Sequence, residues 1–133
     1  MLSLMHQNIA LNSLESKVTA EILDWGAQIS SPVEKHPSTP ASLIDGRYPD
    51  IVLAADCVYF EPAFPLLLQT MHQLLGPKTV CYFCFKKRRK ADWRFIKDMK
   101  KHFVVVDSNY DEQDRDRREG IYLYEVRRIS NKD

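Results

Sequence analysis

Residues 51–57, "IVLAADC", are apolar apart from Asp56. A continuous apolar run of strand length predicts a strand buried on both faces, in a parallel sheet covered by helices. "EPAFPLLLQTMHQLLG" (61–76) sets Phe64, Leu67, Leu68, Met71, Leu74 and Leu75 at helical spacing, with Pro62 and Pro65 in the first turn and Gly76 at the end. "TVCYFCF" (79–85) predicts a second apolar strand, and "ADWRFIKDMKKHF" (91–103) an amphipathic helix burying Trp93, Ile96 and Met99. "VVVDSNY" (104–110) and "GIYLYEVRR" (120–128) predict two last strands, an antiparallel edge pair separated by a solvated charged turn, "DEQDRDRRE", with no helix between them.

Upstream, residues 1–14 carry Leu4, Leu11, Met1 and Met5 roughly on one face. This predicts the end of a helix, entered at Met1 without a cap signal. "KVTAEILDWG" (17–26) alternates Val18, Ala20 and Ile22 with polar neighbours and closes at Gly26, which predicts a strand. Residues 27–49 hold four prolines and many small polar residues, so a long loop is expected, with one short helical turn near Leu43. Strands alternating with helices predict an α/β doubly wound sheet.

A chain of 133 residues is the size of one domain. With 19 basic and 18 acidic residues, its overall charge implies no nucleic-acid or membrane partner. No apolar run approaches the ~20 residues of a membrane span, and three cysteines suit a reducing, intracellular compartment. In "CYFC", Cys81 and Cys84 face opposite sides of a strand, which argues against a zinc pair.

The candidate chemistry sits at strand ends, where open parallel sheets bind ligands. Asp56 ends one apolar strand, and Asp24 and Trp25 end the strand before it. The small Ala54 and Ala55 would let a flat ligand approach the backbone. The competing readings are ordinary: an Asp after a strand also starts turns or caps helices, and a large aromatic at a strand end is often core. The run "KKRRKADWR" (86–94) follows a strand directly, which places it on the same face as the site. It also reads as a nucleic-acid patch or as a solvated loop.

Together, "QNIALN", "LDWG", "DIVLAADCVYFEPAFPLLLQTM", "KKRRKAD" and "GIYLYEVRR" resemble the seven-β-strand protein-lysine methyltransferases, most closely the fungal branch acting on translation elongation factor 1-alpha. The most specific element is Asp56-Cys57-Val58-Tyr59, with Trp25-Gly26 upstream. The resemblance implies S-adenosylmethionine as cofactor, a protein substrate and a cytoplasmic enzyme. It places Asp56 and Tyr59 at the lysine channel, with Trp25, Ala55 and Asp24 on the cofactor side. It also implies a Rossmann-like strand order of 3-2-1-4-5-7-6.

The family's glycine-rich loop has no counterpart among Gly26, Gly46, Gly76 and Gly120. Residues 1–133 therefore read as an incomplete domain, the C-terminal portion of such a sheet, lacking its first two strands. "TAEILD" would lose its neighbour, leaving it misplaced or paired against "DIVLAA", and the chain poorly stable. The alternative is a catalytically dead remnant or interaction module that binds protein, or RNA through Lys86 to Lys90.

Overall fold

The computed structural model describes residues 1–29 and 48–129. The helical turn expected near Leu43 lies outside them. Four strands form one sheet: β1 (Ile51–Ala55), β2 (Val80–Lys86), β3 (Phe103–Asp107) and β4 (Ile121–Arg128). Their order is β1-β2-β4-β3. β1 runs parallel to β2, while β4 is antiparallel to both β2 and β3. This is the 4-5-7-6 part of the expected order, antiparallel edge pair included.

The helices are α1 (Leu2–Leu11), α2 (Phe64–Leu74), α3 (Lys90–His102) and a short α4 (Gln113–Arg118). Pro65 opens α2, where its missing N–H costs nothing, after a 3-10 turn at Glu61–Ala63. At the turn after α2, Gly76 donates its N–H to the Thr79 hydroxyl (3.0 Å), which itself donates to the Pro49 carbonyl (2.6 Å). That fastens the start of β2 to the start of β1.

The core lies on one face of the sheet. Cys81, Phe83 and Phe85 of β2, with Tyr124 and Val126 of β4, point into Phe64, Leu67 and Met71 of α2 and Phe95, Ile96 and Met99 of α3. Phe95 stacks on Phe83 at 5.8 Å and tilts against Phe64 at 5.0 Å, so one ring ties both helices to the sheet. Burying each such side chain contributes about 1.5–3 kcal/mol.

Four expectations are corrected. β1 is buried on one face only: Val52 and Ala54 pack on the core while Ile51 and Leu53 stand exposed. It is an edge strand, with β2 as its only partner among the described residues. The alternating segment 18–24 is not a strand and does not pair with β1, because alternation without a partner leaves its backbone groups no ladder to join. Trp93 is not buried in the helix core: it is 36% exposed and packs edge-on against Tyr122 at 4.8 Å, while Phe95 takes the inner position. The charged turn "DEQDRDRRE" contains α4, held by an Arg115–Glu112 ion pair and by Gln113 donating to the Ser108 carbonyl. Helix α1 forms as expected but buries none of its residues.

The second sheet face carries Leu53, 78% exposed, with Ile51, Val104 and Val106 also exposed. An apolar edge strand beside such a face invites pairing between chains. Leu53→Lys is therefore expected to raise the monomer fraction at high concentration in sedimentation velocity. An unchanged distribution would show that association does not run through β1.

Candidate functional site

The end of β1 leads into a sharp turn. The Asp56 N–H donates to the Cys84 carbonyl at 3.0 Å, one bond beyond the strand, and Asp56 then takes φ +56°. A left-handed non-glycine residue is strained, though Asp tolerates it better than most. The turn throws the carboxylate outward, where it is 62% exposed. Two residues on, Val58 is 1% exposed and plugs into the core. Val58 thus anchors the loop, while Asp56 and Tyr59 flank it at the surface.

The loop is laced down by the basic run. The Arg88 guanidinium donates to both Asp56 oxygens, Nη1 to Oδ1 at 2.8 Å and Nη2 to Oδ2 at 3.3 Å. Arg89 donates to the Tyr59 carbonyl at 2.8 Å, and Arg94 pairs with Glu61. The hydrogen bond from Arg88 holds the Asp56 carboxyl below the usual carboxylate range, with burial opposing and the guanidinium charge assisting. The arginines are positioned by Asp92, whose buried carboxylate accepts the N–H groups of Arg88 (2.8 Å) and Arg89 (2.9 Å) at the start of α3. Burial alone would raise its pKa, but these bonds and the Arg89 side chain outweigh burial and lower it. The run therefore does lie at the site's face, as its place after β2 suggests.

On the other side stands the turn at residues 24–27. The Trp25 ring is half-buried and meets the Tyr59 ring at 6.2 Å and 53°. The turn is docked on α2: the Gly26 N–H donates to the Thr70 hydroxyl at 2.9 Å, and Gln73 accepts from Ile29 N–H and donates to the Ala27 carbonyl. Gly26 has φ +83°, a backbone conformation that favours glycine, and a Cβ there would come within 2.6 Å of the movable tip of the Leu66 side chain.

Of the five expected site residues, Trp25 and Tyr59 are in aromatic contact, and Ala55 and Asp56 follow directly at the end of β1. Asp24 has an exposed side chain, and its carbonyl accepts the Ala27 N–H at 3.1 Å to close the turn. Thr70, Gln73 and Asp92 were not anticipated. Thr70 and Gln73 could have been noticed as polar residues in the largely apolar helix α2, and Asp92 as an acid in the first turn of α3, where free N–H groups need an acceptor. Burial, aided by the nearby Asp56 charge, raises the Cys57 thiol, and burial above all pushes Cys81 up to about 12.

The arrangement offers an exposed carboxylate, an exposed phenol and a half-buried indole around a strand end. The family model described as lysine methyltransferase matches residues 1–102. The protein-lysine N-methyltransferase EFM6 of Saccharomyces cerevisiae is 36% identical over 110 residues, covering 80% of this chain and 43% of its own length. The protein N-lysine methyltransferase METTL21A of Danio rerio is 33% identical over 128 residues, covering 96% of this chain and 50% of its own. The EEF1A lysine methyltransferase 3 of Mus musculus is 33% identical over 110 residues, 78% of this chain and 44% of its own. The chain thus spans about half the length of the curated relatives it matches.

Proposed function

Since the chain belongs to the lysine methyltransferase family, we propose that it serves transfer of a methyl group from S-adenosylmethionine to a lysine of a protein, translation elongation factor 1-alpha being the candidate substrate. Residues 1–133 correspond to the C-terminal portion of the domain, a reading supported by the order β1-β2-β4-β3. The single observation that carries the site is the Trp25–Tyr59 aromatic pair beside the exposed Asp56.

S-adenosylmethionine would supply an electrophilic methyl on a sulfonium sulfur. The residues present fit its flat end: Trp25 offers a ring face for a purine, and Ala55 leaves room at the strand end. Asp24 stands beside them on the cofactor side. Asp56 accepts an N–H of the arriving lysine and fixes the direction of its nitrogen. Its lowered pKa makes it a poor proton acceptor near neutrality, so its role is orientation more than proton removal. Tyr59 walls the channel with a ring face that attracts a cationic amine.

Calorimetry on the 133-residue chain tests this. Micromolar S-adenosylmethionine binding is expected, weakened about tenfold by Trp25→Ala, as loss of a base-stacking partner implies. Asp56→Asn, which tolerates the left-handed backbone, is expected to leave that affinity unchanged while abolishing methyl transfer. Absence of binding would overturn the cofactor reading for this chain.

A further inference from the structure

Asp56 already has a cationic partner, because Arg88 grips both of its oxygens. We propose that a substrate lysine reaches Asp56 only by exchanging partners with Arg88, and that the site therefore selects lysines lying beside a carboxylate in the substrate. The proposal rests on the reading of Asp56 as the lysine-binding group.

The exchange follows from charge. A lone lysine approaching a carboxylate already neutralised by a guanidinium gains little attraction. Arg88 itself lies within a run of five consecutive cations, residues 86–90. Displacing Arg88 without compensation removes a two-pronged, charge-assisted contact. A substrate carrying its own carboxylate next to the lysine avoids that loss. The lysine takes Asp56, the substrate acid takes Arg88, and the one ion pair within the protein becomes two between protein and substrate.

Geometry permits the exchange. The Arg88 and Asp56 side chains are 47% and 62% exposed, so both ends of the pair can be reached from solvent. The Arg88 backbone is held by Asp92, which keeps the released guanidinium at the mouth instead of letting it drift away. Arg89 stays tied to Asp92 and to the Tyr59 carbonyl. The swap therefore needs one side chain to rotate and no loop to open.

The test follows the 13C carboxyl resonance of Asp56 in the labelled chain during titration with two peptides, acetyl-Ala-Lys-Glu-Ala-amide and its Lys-Gln counterpart. The Lys-Glu peptide is expected to bind about two- to fivefold more tightly, the range for one exposed ion pair. Arg88→Gln should bind the Lys-Gln peptide more tightly than the wild type does and lose the preference. Lys87→Gln, which removes a neighbouring charge without touching Asp56, should keep it. A preference that survives Arg88→Gln, or falls equally in Lys87→Gln, overturns the exchange and leaves general attraction to the basic run. If Asp56 answers neither peptide even in Arg88→Gln, the lysine-site reading itself fails. Cofactor affinity is measured separately, so that failure is distinguishable from loss of S-adenosylmethionine binding.

Discussion

Asp92→Ala is expected to lower the unfolding free energy by about 3 kcal/mol, because two partly buried backbone N–H groups lose their acceptor. Those donors belong to Arg88 and Arg89, and the carboxylate is fully buried. Urea denaturation should show a lower midpoint at unchanged slope. Asp92→Asn keeps one acceptor oxygen and should lose less. The pH dependence has a definite sign. The folded pKa lies below the unfolded value of about 3.9, so the carboxylate's contribution is complete above that value. It disappears as pH falls through the lowered folded pKa, and wild type and Asp92→Asn should converge there. An alanine variant with the wild-type midpoint would show that water replaces the carboxylate. The same variant should loosen Arg88 from Asp56, since one acid sets the position of both arginines.

Phe95→Ala should cost about 4 kcal/mol, in the range for removing a fully buried aromatic ring. Phe95 is 1% exposed and touches Phe64 on one side and Phe83 on the other. Its loss opens a cavity where both main helices meet the sheet, and aromatic contacts add to the area term. The melting temperature should fall by roughly 15 °C. Phe95→Leu, which retains most of the volume, should cost well under half as much. A small effect of the alanine variant would mean that α2 and α3 collapse onto β2 without the ring. Trp93, two positions away and over a third exposed, should tolerate alanine far better.

What the sequence made legible was the local pattern. The apolar run ending at Asp56, the stripe from Phe64 to Met71 and the alternation in β4 each point to the right element, because side-chain periodicity is a property of neighbours in the chain. Partners are not. Segment 18–24 alternates as a strand does, yet a ladder needs a second chain segment beside it. Residues 113–118, "QDRDRR", have no apolar stripe at all, and the helix there is held by charged and polar contacts that no hydrophobic pattern reveals. At the site, the D-x-x-Y spacing and Trp25-Gly26 pointed to one place, and Trp25 and Tyr59 do meet. The grip of Arg88 on Asp56 joins residues 32 apart in the chain. The basic run was expected beside the end of β1, and its Arg88 and Arg89 do reach Asp56 and Tyr59, but the sequence did not reveal which of its side chains make those contacts.

The position of β4 bears on how the sheet can be made. It is the last of the described strands in chain order, yet it lies between β2 and β3. As the polypeptide leaves the ribosome, β1, α2, β2, α3 and β3 emerge before the one segment that can join the two halves. Until residues 121–128 appear, the inner edge of β2 and the whole of β3 stay open, with Cys81, Phe83 and Phe103 short of their final cover. Zippering of the sheet therefore waits on its final strand. Between the end of β2 at Lys86 and the start of β4 at Ile121, the nascent chain therefore carries an apolar sheet face with an unpaired edge, the kind of surface that chaperones capture.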